Sequence, residues 1–205
     1  GQVFEIGKSL DLTGDPAGWP RIISDIQAGP GETTTVVVDT AASEPEAFYK
    51  VFQIPAPPIF EDDFETDAGW TAIVNDANGN TNWERGTPNG STGPLTGADD
   101  SANAWSTNLG DYGADSDISL RSPAIDLTGV SAAELNFEAF RDGDGFGDTA
   151  SVRFLRASDQ VQLGAEVPID MTSFDASWKS QAIPVEGEAI GESVIIEFNF
   201  VSDSS

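Results

Sequence analysis

Apolar and polar residues alternate with a period of two in most segments of this chain that show any pattern. The clearest case runs from Glu134 to Arg141, where Leu135, Phe137 and Ala139 interleave with Glu134, Asn136 and Glu138. A strand buried on one face only gives this pattern. Just before it, Ile118, Leu120, Ile125 and Leu127 mark the apolar positions of Asp117 to Leu127, interrupted at Pro123. Proline lacks an amide hydrogen and belongs at an edge, a strand start or a bulge, so the register is expected to change there. Further strands are predicted over 149–156, 160–167, 177–184 and 192–201, separated by turn clusters. Helical periodicity is absent apart from a turn near Thr172 to Phe174. The pattern predicts an all-β chain built from β-sandwiches.

The first 54 residues alternate from Val3 onward. Turn-rich Thr13 to Gly18 precedes Trp19, a strand over Arg21 to Ile26, a Gly-Pro-Gly turn at 29–31, a β-branched run from Thr33 to Val38 and a last strand from Phe48 to Phe52. Pro55-Ala56-Pro57-Pro58 then favours an extended, semi-rigid spacer. This places a partial β-sandwich at 1–54, a linker at 55–59 and a second unit at 60–205, opening with a strand at Phe60 to Phe64. Between Asn75 and Asp115 the chain is poor in apolar residues and reads as loops around short strands, broken by Trp83 and by Ala104-Trp105-Ser106-Thr107.

Composition narrows the chemistry. Nine Lys and Arg stand against 35 Asp and Glu, a formal charge of -26, which repels phosphate backbones and anionic lipid surfaces and so excludes nucleic acid as a natural partner. The acidity fits either solubility in a salty or calcium-rich medium or the binding of cations. With no Cys and no His, thiol nucleophiles, the usual zinc ligand sets and imidazole-dependent triads are all excluded. No run of about eighteen apolar residues offers a membrane span. Paired carboxylates are so numerous that a glycosidase-like pair carries no signal.

Three constellations stand out. Asp142-Gly143-Asp144-Gly145-Phe146-Gly147-Asp148 has the oxygen ligands and glycine turns of a calcium loop, with Asp142, Asp144 and Asp148 as ligands, although Phe146 replaces a third ligand; a solvated Asp/Gly hairpin is the other reading. Glu61, Asp62, Asp63 and Glu65 crowd four carboxylates onto one segment, which costs energy unless a cation or solvent screens them. Trp70 and Trp178, in strand-like segments, read as core residues. Trp83 and Trp105 sit among polar residues and, with Tyr112, are either loop anchors or a platform for the apolar face of a sugar ring.

The first quarter of the chain, with its Ser-Leu-Asp-Leu, lone Trp, Thr/Val strand and closing Phe-Tyr-Lys-Val, resembles the end of small sandwich repeats in secreted multidomain bacterial proteins. Residues 60–205 carry Phe64-Glu65, Gly69-Trp70-Thr71, Trp83, Gly86-Thr87-Pro88, Asn103 to Gly110, Tyr112, Ser119 to Leu127, Leu135-Asn136-Phe137 and Gly147 to Val152. This order resembles the MAM-like jelly-roll module attached to immune inhibitor A type secreted metallopeptidases and bacterial surface proteins. The resemblance implies about ten strands and a non-catalytic adhesion or binding module for a glycan or cell-surface protein. It also implies a secreted or surface location, covalently linked neighbouring domains and no membrane insertion. A hydrolase fragment and a structural spacer in a surface stalk are the alternative functions. It further implies a structural calcium near the first strand, with Glu65 and Asp63 as ligands. The family pattern continues beyond Asp203 into a Gly-Trp-Tyr-Ile-Asp-Asp-Val strand. Without it, an unpaired sheet edge is expected beside Phe198, Phe200 and Val201, shielded from self-association by charge alone.

Overall fold

A computed structural model describes residues 3–27, 46–55, 57–143 and 147–204. Among these the regular elements are thirteen strands and one 3₁₀ turn, and the chain divides into two compact units, Gly1–Pro58 and Ile59–Ser205.

In the first unit, β1 (Val3–Ser9) lies between β2 (Arg21–Gln27) and β3 (Phe48–Ile54), antiparallel to both. Among the described residues Val3 and Trp19 are its buried apolar residues. The Arg21 guanidinium lies 3.6 Å from the centroid of the Phe52 ring and pairs with Glu5 at 3.1 Å, so one cation joins all three strands. Gly7 faces the same ring, and a Cβ there would come within 2.8 Å of it. The run Thr33 to Val38 and the Gly-Pro-Gly turn lie outside the described residues.

The second unit holds ten strands among the described residues: β4 (Thr71–Val74), β5 (Trp83–Gly86), β6 (Ala104–Thr107), β7 (Asp117–Arg121), β8 (Ile125–Asp126), β9 (Glu134–Ala139), β10 (Thr149–Arg156), β11 (Gln162–Ile169), β12 (Lys179–Pro184) and β13 (Ser193–Val201). The main sheet runs in the order β11-β10-β13-β7-β4, with β8 also on β13. Facing it are the β9–β12 ribbon and the β5–β6 hairpin. Alternation puts Ile118, Leu120, Val152, Phe154, Val194, Ile196, Phe198 and Phe200 on the inner face, where Val152, Phe154, Val194, Ile196 and Phe198 share one core with Leu135, Phe137 and Ile183 of the ribbon. Burying each such side chain contributes about 1.5–3 kcal/mol.

The register change at the proline is present. Arg121 pairs with Glu197, whereas Asp126 pairs with Ser193, a shift of one residue. Ser122 fills the break: its amide donates to the Ile196 carbonyl and its hydroxyl accepts from the Ile196 amide, both at 2.9 Å. Pro123 therefore sits where the ladder needs no donor.

Three expectations are corrected. Phe60 to Phe64 forms no strand, because the acidic side chains bond their own backbone: Asp62 accepts from the Phe64 amide, Asp63 from Glu65 and Asp67 from Gly69. Such Asx turns compete with sheet ladders. Trp83 and Trp105 are not in loops but begin β5 and occupy the second position of β6. The edge expected beside Phe198, Phe200 and Val201 is covered, since β13 pairs with β10 on one side and with β7 on the other at all three residues.

Candidate functional site

The two layers of the second unit do not close on each other everywhere. Between them lies a cleft of about 730 Å³, within the size range of ligand sites. Its floor is the inner face of the main sheet, with Leu120, Phe198 and Phe200. The hairpin residues Trp105 to Asn108 form one wall, and the ribbon residues Phe137 to Ala139 with Phe140 form the other.

All four tryptophans of this unit, Trp70, Trp83, Trp105 and Trp178, line this single cleft and are half-buried. Trp70 is held at its polar end by Asp62, whose carboxylate accepts from the indole N–H at 2.8 Å, and at its rings by Phe64 edge-on at 5.6 Å and Phe198 at 6.3 Å. Trp178 packs edge-on to Phe140 at 6.0 Å and donates to the Thr96 carbonyl at 3.2 Å. The indole N–H groups of Trp83 and Trp105 are buried and have no partner among the described residues, at a cost of about 1–3 kcal/mol each. Phe174, 65% exposed, stands at the open side.

Of the sequence-predicted platform residues, Trp83, Trp105 and Tyr112 all border the cleft. Tyr112 is fixed at one end: its ring packs edge-on to Phe200 at 5.0 Å and its hydroxyl donates to Asp148 Oδ2 at 2.5 Å. Trp70 and Trp178 belong to the same wall of aromatics rather than to a closed core. Alternation turns Phe137, Phe198 and Phe200 inward but does not show that the opposing layer leaves space above them; Phe140, out of phase with Leu135, Phe137 and Ala139, was not singled out by sequence.

The predicted metal ligands are Asp63, Glu65, Asp142, Asp144 and Asp148. Among the described residues no three Asp or Glu side chains converge at a metal-binding spacing, and Asp144 lies outside those residues. Asp63 caps a turn. Glu65 is clasped by the hydroxyl of Ser101 at 2.5 Å, the amides of Ala102 and Asn103 at 2.7 and 2.9 Å, and the Asn103 side-chain amide at 2.8 Å. The Ser101 bond first, then the backbone bond from Asn103, holds its carboxyl below the usual range. Asp142 accepts from the Thr92 hydroxyl, and Asp148 accepts from Tyr112 and from the Asp203 amide.

The rim is acidic. Asp111, Glu138 and Asp142 line the cleft, together with Arg141. Arg141 is already engaged: its Nε donates to Asp175 Oδ2 at 2.8 Å and its terminal nitrogen to Oδ1 at 3.1 Å. That pairing raises the Arg141 pKa and lowers that of Asp175, so the guanidinium is not free to bind an anion.

No family model matches the chain, and no curated protein matches it. Among solved structures, it is similar to the K1 cleaved adhesin domain of Lys-gingipain from Porphyromonas gingivalis W83, at 19% identity and a TM-score of 0.46, covering 69% of this chain and 87% of that one. It is also similar to the K3 cleaved adhesin domain of the same protein, at 16% identity and a TM-score of 0.44, covering 72% of this chain and 91% of that one.

Proposed function

We propose that the second unit is a non-catalytic binding module of the MAM-like jelly-roll kind, from a secreted or surface-exposed multidomain protein, and that its glycan or protein ligand seats in the aromatic cleft. The observation that carries this reading is the convergence of four tryptophans on one open cleft with a sheet for its floor. Aromatic rings in such a setting offer large contact area at low entropic cost.

Titration of the chain with soluble polysaccharides and with extended peptides, followed by tryptophan fluorescence, tests the reading. Saturable change that is lost in Trp105→Ala is expected; a flat response to every probe overturns it.

A further inference from the structure

Which residues line the cleft shows which strand of each pair borders it. It meets Phe137, Glu138 and Ala139 of β9 but no residue of β12, and Trp105, Ser106 and Thr107 of β6 but only Trp83 of β5. The cleft therefore lies on the β6 side of the hairpin and on the β9 side of the ribbon. The pairing agrees: among the described residues β6 pairs only with β5, and β9 only with β12.

The phase of the ladders fixes which backbone groups of β6 and β9 turn away from their paired strands. The Val185 amide donates to the Ala133 carbonyl, in register with the pairing of Leu135 to Ile183 and Phe137 to Gln181. In an antiparallel ladder bonded pairs alternate with unbonded ones, so Asn136 and Glu138 turn their N–H and C=O groups away from β12. Pro184, opposite Glu134, occupies an unbonded position, as a residue without a donor must. In the hairpin the Asn108 amide donates to the Asn82 carbonyl, in register with the pairing of Trp83 to Thr107 and Arg85 to Trp105. Trp105 and Thr107 accordingly turn their backbone groups away from β5.

Resting on the reading of the cleft as a ligand site, we propose that its ligand is an extended peptide strand, inserted between β6 and β9 and bonded to the outward backbone groups of Trp105 and Thr107 on one side and Asn136 and Glu138 on the other. Main-chain bonds supply affinity in such strand addition, and pockets for alternate side chains supply specificity. Here the pocket side is the aromatic floor of Phe198 and Phe200, which selects apolar residues at every second position. The partner's charge follows from the rim. Asp111, Glu138 and Asp142 border the cleft, Arg141 is held by Asp175, and the chain as a whole carries a charge of -26. The favoured segment therefore carries Lys or Arg at its ends.

The test uses the full chain and a synthetic peptide of about nine residues, alternating Val or Phe with Thr and ending in Lys at both ends. Hydrogen exchange read by NMR should show the amides of Trp105, Thr107, Asn136 and Glu138 exchanging freely without peptide and at least about tenfold more slowly with it. N-methylation of the alternate peptide amides should weaken binding at least about tenfold while leaving every side chain in place. Asn136→Pro removes an edge donor that the ribbon does not use and should weaken binding without unpairing β9 from β12. Protection of these amides in the free protein, protection of one edge alone, or equal binding of the N-methylated peptide overturns the proposal. A response to polysaccharide with none to peptide overturns the peptide strand but leaves the cleft as the ligand site; silence toward both overturns the two together.

Discussion

The hydroxyl of Tyr112 donates to Asp148 Oδ2 at 2.5 Å, tying the loop before β7 to the start of β10. The other oxygen of Asp148 accepts from the Asp203 amide at 3.1 Å, just beyond β13, so one buried carboxylate fastens three segments at the Tyr112 end of the cleft. Tyr112→Phe keeps the ring against Phe200 but withdraws the donor. A loss of about 1–3 kcal/mol is expected by urea denaturation, and an unchanged midpoint would show that the bond contributes nothing.

Glu65 links its own turn to residues 101–103. Its folded-state pKa is lowered, chiefly by the Ser101 hydroxyl, so the stability it contributes is present above the unfolded carboxylate pKa and is lost as pH falls through the folded value. Glu65→Gln should therefore melt earlier than the parent chain at neutral pH. The two should converge as the pH drops below about 4. A gap independent of pH would assign the effect to geometry rather than charge.

Asp175 is 5% exposed and takes Arg141 through both oxygens while also accepting the Arg141 amide at 3.0 Å. This clamp joins the residues following β9 to those preceding β12, beside the cleft. Asp175→Asn leaves a largely buried guanidinium without its counter-charge, and a destabilisation of about 2–4 kcal/mol is expected. Because the Asp175 pKa is lowered, the loss should fade in acid; calorimetry at two pH values reads both effects.

Glu197, on the outer face of the main sheet, is 2% exposed and lies 2.5 Å from both Arg121 and Arg153. Glu197→Gln strands two arginines and should cost about 3 kcal/mol, nearly independent of salt because the acceptor is shielded from solvent. By contrast, Glu192 and Arg156 meet at 3.8 Å on the surface, and Glu192→Gln should change stability by less than about 0.5 kcal/mol. Denaturation of both variants across a salt series separates the two cases.

The strands and their inward faces were legible in the sequence because both are local. Period-two alternation in Glu134 to Ala139 names the inner residues wherever the strand sits, and Pro123 announces a break in the ladder because its ring removes a donor. The all-β class follows from such segments alone. Local signals also misled where a side chain had a backbone alternative. Phe60 to Phe64 has the residues of a strand, yet Asp62 and Asp63 satisfy amides of their own segment and no ladder forms.

The tertiary structure alone decided what lies above the inner faces. Trp70, Trp83, Trp105 and Trp178 are separated by up to 108 residues along the chain, and nothing in their spacing says that they meet. They converge because the hairpin and the ribbon cover the same face of the main sheet, and among the described residues β6 pairs only with β5 and β9 only with β12. Whether an edge is open depends on which strands become neighbours, a property of long-range pairing rather than of any residue. The same holds for Phe198 and Phe200: alternation turned them inward, covered on both flanks by β10 and β7, and the gap between β6 and β9 made them the floor of a cleft instead of the middle of a core.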